Sequence, residues 1–444
     1  MTGQGALLGA LGDPDLAGDA DPTGINPHFL KRLQACADQL PLEAGGDILA
    51  ANRSKLVPAG ARIDPVSLSR ISHVKLARPI EDCLAVPGGV NLAQLLTLAR
   101  GLTEKFALIL KIDAPETELS LLEAFGQVRL TPPLQALLTL YAQEHETKLE
   151  HTVCVGLLTL ALARRLLPGK LLLQRQLVLA GLLHDVGELY IEPIRAERNA
   201  QLELEQWRSI ASHPVIGSRV LSRVEGAGPV VAEAVLCHHE RLDGFGYPRG
   251  LADEDFKLPV QLLAVAEWLA GLLEAGMEPL MRASVASRLI PGEFSPRALE
   301  PVHKALRTTV ELADWLQAQQ AEISARVRPM AEALQRFEAI QQWIANRGLT
   351  ASPPLRGVLL KAYQRMHRLQ TSFAGAGLDL KDPERVLADL EDPEARQELG
   401  ALLSEFGWRM REMERACLLR ASMLGGEDLA VIKEMLSMIR GEGL

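Results

Sequence analysis

The run VVAEAVLCHHERLDGFGYPRGL, residues 230–251, joins an apolar segment to two adjacent histidines and a glycine-rich turn. Its first part is Val, Ala and Leu broken only by Glu233, the pattern of a buried helix, and it stops at His238-His239. Gly244 and Gly246 then allow backbone conformations that other residues resist, so Asp243 to Pro248 reads as a turn. Working outward, the same arrangement recurs. His151 opens HTVCVGLLTLALARRLL (151–167), His184-Asp185 closes LVLAGLLHDVGELY (177–190), and His213 precedes a proline in ASHPVIGSRVL (211–221).

Each of these residues alone has a plain structural reading. A single histidine on an apolar helix is more often a satisfied core or helix-end group than a ligand, and a Gly-rich loop is first of all a turn. The joint pattern points elsewhere. Imidazole and carboxylate are the mixed N/O donors that suit Fe, Mn or Zn, and here they stand at the ends of several apolar helices. From such positions they can converge on one buried point, and a His-Asp dyad offers two ligands to one centre. His28, His73, His303 and His367 have no converging neighbours and read as surface or structural groups, and His145 reads as exposed.

The rest of the chain sets the frame. At 444 residues, 48% hydrophobic and only 4% aromatic, with Leu and Ala prominent, it reads as a mainly α protein of two or three domains. A net charge of −9 argues against a binder of nucleic acid polymers but not against a small anionic substrate held by metal charge. Five scattered cysteines suggest neither a disulfide framework nor a zinc knuckle. Without a signal-like segment or a membrane-length apolar run, the expected setting is cytoplasmic, with no membrane contact. The expected organisation is a loose tail over 1–26, a small mixed α/β regulatory region over 27–133, a helical domain over 134–300 and a helical C-terminal region over 301–444. Thr131-Pro132-Pro133 supplies the first internal boundary. Ile323, Val327, Met330, Leu334 and Phe337 form a short seam, read first as packing within its own domain and second as a homodimer contact.

Two stretches carry a specific resemblance. His184-Asp185-Val186-Gly187 resembles the signature of the HD phosphohydrolase superfamily, and HHERLDGFGYPRGL (238–251) matches the HHExxDGxGYPxGL signature of its HD-GYP subfamily. His213-Pro214-x-x-Gly217 is similar to the intermediate HPxxG motif. The resemblance covers about residues 140–300. It implies an all-helical domain that hydrolyses cyclic di-GMP to pGpG or GMP with divalent metals, commonly iron or manganese. It further implies that Asp185 bridges two metals, with His151, His184 and Glu267 on one and His213, His238 and His239 on the other. Asp243, Gly244, Gly246, Tyr247 and Pro248 would shape a substrate rim.

Four positions depart from the pattern. Glu188 stands where the family usually has a phosphate-contacting lysine, which reverses the local Coulomb interaction. Glu267 replaces an aspartate, and Thr147 stands where members with three metals have a glutamate, so the resemblance implies two metals here. After the helix of Glu267, GLLEAGMEPLMR offers Arg282 and little other positive charge. Three readings stay open: a metal-dependent cyclic di-GMP phosphodiesterase with Asp185 and Glu188 at its catalytic centre; a catalytically degenerate module acting through metal, nucleotide or protein partners; and a phosphohydrolase for another phosphoester.

Overall fold

The computed structural model describes residues 25–114, 118–193, 203–252, 255–274, 292–306, 320–375 and 393–441, with Leu11, Arg282, Ala283 and Val285. Most of the expected tail over 1–26 lies outside the described residues. The first helix, α1 (Pro27–Gln39), starts where Pro27 presets the backbone and the Asn26 side chain accepts the amides of His28 and Phe29. Two short antiparallel ribbons follow. In one, β1 (Glu43–Ala44) pairs with β4 (Leu84–Ala85); in the other, β2 (Ile48–Leu49) pairs with β3 (Lys55–Val57). The latter lie in the Gly- and Pro-broken stretch 47–63 that reads as strands and turns, and α2 (Pro65–Ser72) closes this part.

The helices then succeed one another: α3 (Leu92–Lys105), α4 (Leu108–Ile112), α5 (Leu121–Phe125), α6 (Pro132–Gln143), α7 (Glu146–Leu166) and α8 (Leu171–Leu183). Asn91 with Gln94 and Ser120 with Glu123 form reciprocal capping boxes that start α3 and α5. A 3-10 turn, Val186–Tyr190, leads on to α9 (Leu204–Ala211), α10 (His213–Leu221), α11 (Gly228–Leu236), α12 (Leu258–Glu274) and α13 (Pro296–Leu306). Pro132 and Pro133 begin α6, and one apolar core runs without a break from Ile25 to Ala305 across them. The small mixed region and the helical domain therefore share their interior.

Helix α7 is the axis of this core. It packs against α8, α12, α3, α4 and α6 and is buried from Thr152 through Arg164, as a helix that is apolar on all sides must be. Its crossing with α8 depends on two glycines: a Cβ on Gly181 would lie 2.8 Å from the Cα of Gly156. No side chain fits between these backbones, so the two helices touch a turn or so from His151 and His184.

The last four helices, α14 (Gln320–Gly348), α15 (Pro353–Gly375), α16 (Pro393–Ala421) and α17 (Gly426–Arg440), form a bundle with a second core. Val327, Met330, Leu334 and Phe337 of the seam are all buried in that core, so the seam is used within the chain; the side chain of Ile323 lies outside the described residues. Among the described residues, no helix is long and apolar enough to cross a membrane.

Candidate metal centre

Six separate segments bring their chemistry to one place. His151 comes from the first turns of α7, His184 caps α8, Asp185 opens the 3-10 turn, His213 begins α10, His238 and His239 follow α11, and Glu267 lies in α12. The donor atoms fall into two overlapping groups, His151-His184-Asp185 and Asp185-His213-His238-His239, each with its atoms within 4.8 Å of one another. Asp185 divides its oxygens between them: Oδ2 lies 3.1 Å from His184 Nε2, while Oδ1 lies 3.2 Å from His213 Nε2 and 3.5 Å from His238 Nε2. Glu267 Oε2 lies 3.2 Å from both His151 Nε2 and His184 Nε2. All seven residues expected to bind metal are thus in one cluster.

Close backbone contact sets the second half as it sets the first. A Cβ on Gly187 would stand 2.0 Å from the carbonyl oxygen of His213 and 2.8 Å from the amide nitrogen of Gly217. The glycines of the two motifs let the 3-10 turn press against α10, which carries His213 up to Asp185.

The hydrogen bonds behind the rings decide which nitrogens face inward. His184 Nδ1 meets the Gly181 carbonyl at 2.8 Å, His213 Nδ1 the Ile210 carbonyl at 2.6 Å, and His238 Nδ1 the Val235 carbonyl at 2.6 Å. A carbonyl only accepts, so each Nδ1 carries a proton and each ring turns Nε2 into the cluster, where its lone pair can be given to a proton or a metal. Two such lone pairs, on His213 and His238, then face each other at 3.1 Å. That arrangement calls for a proton or a cation between them. His184 Nε2 and Glu267 Oε2 are buried without a hydrogen-bond partner in spite of their proximity. Orphaned donors of mixed N/O type converging on a shared carboxylate fit divalent metal ions.

The electrostatics agree. Burial disfavours charge on His184, but the carboxylates of Asp185 and Glu267 outweigh it and lift the ring to about 10. His151 is raised in the same way, against burial, by Glu267 and Glu274. Burial also works against the Asp185 carboxylate, yet His184, His213 and His238 hold it well below the usual range. His238 is pushed down to about 4, first by burial and also by the positive charge of His184 and His213. Protons occupy the position that cations would take, and a bound metal would displace them.

Two supporting residues escaped the sequence reading. Glu274 Oε1 holds His151 Nδ1 at 2.7 Å, and the Tyr141 hydroxyl donates to Asp185 Oδ2 at 3.1 Å. Glu274 is two helical turns beyond Glu267 on the same face of α12, a spacing visible in the sequence. Tyr141 has no comparable signal.

Glu188 lies beside the cluster and is neutralised by Lys148 of α7, at 2.6 Å. The amine also meets Glu144 at 2.9 Å and lies over the Tyr141 ring. Positive charge is therefore present here, but on α7 and not on the turn after Asp185. Arg282 is directed to Glu405 of the C-terminal bundle, at 2.9 Å.

The expected substrate rim is placed differently. Gly244, Gly246 and Pro248 are buried, and the Asp243 carboxylate is 3.4 Å from Arg365 of the bundle with its side chain only 4% exposed. Asp243, Gly244 and Gly246 meet side chains of the C-terminal helices. Tyr247 stacks on the His239 ring, with centroids 4.8 Å apart, and meets Trp207 edge-on. The buried Glu240 carboxylate closes the base of the loop by accepting the amides of Arg249, Gly250 and Leu251.

The family profile described as HD domain matches residues 136–290. Over 118 residues the chain is 38% identical to the cyclic di-GMP phosphodiesterase PA4108 of Pseudomonas aeruginosa, covering 26% of this chain and 28% of that protein. It is 36% identical over 103 residues to the 3'3'-cGAMP-specific phosphodiesterase 1 of Vibrio cholerae, covering 23% and 24%. It is 30% identical over 158 residues to a cyclic di-GMP phosphodiesterase of Thermotoga maritima, covering 34% and 42%. The chain thus spans less than half the length of each of these relatives. The chain carries an HD domain over residues 136–290, and the two motifs that resemble the HD-GYP signatures fold onto one cluster of histidines and carboxylates.

Proposed function

We propose that this protein is a metal-dependent phosphodiesterase that opens cyclic di-GMP to pGpG or GMP in bacterial signalling. The observation that carries the reading is the division of Asp185 between two groups of inward-facing donors, one oxygen to each. His151, His184 and Glu267 would hold one divalent ion and His213, His238 and His239 the other, with Asp185 common to both. Two such ions, Fe or Mn by donor type, would supply Lewis-acid activation of water and charge neutralisation at phosphorus.

The chain's own residues prepare that chemistry. Carbonyls of Gly181, Ile210 and Val235 orient three rings, Glu274 orients a fourth, and the Tyr141 hydroxyl steadies Asp185. Lys148 brings a cation to the side where Glu188 stands, and we place it near an entering phosphate. The names of the relatives support cyclic dinucleotides as the substrate class, and 3'3'-cGAMP is the competing substrate within it.

A binding module without turnover is the second reading. It is favoured by Glu188, whose carboxylate engages the nearby Lys148. Either form could act through protein partners. The test is anaerobic incubation of the full chain with Fe(II) or Mn(II) and cyclic di-GMP, with separation of products. Formation of pGpG or GMP that is absent from Asp185→Ala supports the enzyme. Two bound metals without product from cyclic di-GMP or 3'3'-cGAMP overturns it in favour of the module.

A further inference from the structure

The GYP-type loop is held by the C-terminal bundle, a part of the chain beyond the family match at 136–290. Phe245, between the two glycines, is 4% exposed and belongs to the core of the bundle, not to that of its own domain. The guanidinium groups of Arg365 and Arg420 lie 4.6 and 5.1 Å from its ring centroid. Arg420 Nη2 donates to the carbonyls of Gly244 and Gly246, at 2.9 and 2.8 Å, while its Nη1 is anchored on the Ala416 carbonyl of α16 at 3.1 Å. Lys361 Nζ of α15 donates to the same Gly244 carbonyl at 2.6 Å.

The next residue is Tyr247, stacked on His239. Helix α16 reaches this ring by a second route, because the Trp207 indole that meets Tyr247 edge-on donates to the Arg415 carbonyl at 2.9 Å. The bundle thus fixes the backbone before Tyr247 and the ring beside it.

We propose that the C-terminal bundle is a working part of the metal centre: Arg420 is a positioning residue that sets the loop, and through Tyr247 the orientation of His239. This rests on reading His239 as a metal ligand. A charged donor shared by two buried carbonyls leaves the loop one position, and Tyr247 transmits that position to the ring as a supporting residue does. Displacing α16 would therefore loosen one half of the centre and spare the other.

The test uses the full chain as wild type, Arg420→Gln and Arg420→Lys. It follows amide hydrogen exchange over 241–251 and titrates Co(II) binding by absorption. For Arg420→Gln the expected result is faster exchange in the loop and Co(II) binding weakened about tenfold at one of two sites, the scale of a lost supporting contact. Arg420→Lys should restore part of both. An Arg420→Gln loop that exchanges faster while both Co(II) affinities stay at wild-type values overturns the proposal, as does unchanged exchange. Should Arg420→Gln loosen the whole bundle, seen as faster exchange throughout 393–441, Lys361→Met decides. It removes a second donor to Gly244, and it must weaken the same Co(II) site or the proposal falls. Neither readout depends on turnover, so a wild type that leaves cyclic di-GMP intact would count against the proposed activity and leave this inference standing.

Discussion

Among the described residues, two clusters of buried charge are built on opposite principles. In the HD domain, histidines and carboxylates converge with their metal-binding atoms inward, and without a metal the positive charge there comes from protons on the rings. Between this domain and the bundle, Glu293 meets Arg241 at 3.6 Å, Arg365 at 3.5 Å and Arg409. Arg282 and Arg409 meet Glu405, and Arg365 also meets Asp243 and Glu412. There, guanidinium and carboxylate charges offset one another within the chain, although Glu293 Oε1 and the Arg365 nitrogens make no hydrogen bond. A buried charge must be paired in either case. The chemistry of the donors decides whether the partner comes from the chain or from solution.

Asp185→Ala breaks the contrast most completely. It removes the carboxylate common to both donor groups, and metal analysis should show loss of both ions together with any phosphodiesterase activity. Retention of two ions would mean that the halves are independent. Glu293→Ala attacks the other cluster. Leaving three arginines short of a buried acceptor should destabilise the fold by about 3–5 kcal/mol, read by denaturant unfolding, with metal content per folded chain unchanged.

Gly187→Ala sharpens the geometric side. Its methyl group would meet the His213 carbonyl, so α10 must move, costing about 1–3 kcal/mol and weakening metal binding at the His213 side. Wild-type affinity in this variant would show that the close approach is not what seats His213.

The pH response should also differ between loaded and empty protein. His184 is raised above its ordinary 6.5 to about 10, so its charge stabilises the metal-free fold fully below 6.5, and that contribution is lost as pH rises through about 10. Metal competes with the same proton, so affinity should climb over this window while the melting temperature of the empty protein falls. The smallest effect belongs to Glu188→Gln. It releases Lys148 from one carboxylate, and KM for a cyclic dinucleotide should fall a few-fold at low salt and less at high salt. An unchanged KM would place Lys148 away from the phosphate.

The centre was legible because its ligands sit in contiguous motifs at helix ends: His184-Asp185, His213-Pro214 and His238-His239. Glu274 was within reach of a periodicity argument, two turns beyond Glu267. The covered face of the loop was not legible. HHERLDGFGYPRGL says that a turn is present but not what packs over it. Arg420 joins that turn from more than 150 residues away, without local periodicity to announce it.

By itself, the sequence determined the residue types, their order and the helices that carry them, because apolar periodicity, caps and glycines act over a few residues. Tertiary structure alone decided three things: which Asp185 oxygen serves which half, that Glu188 is paired with Lys148, and that the signature loop belongs to the bundle core as much as to its own domain. Each depends on the distance between groups far apart along the chain, and only packing sets that distance.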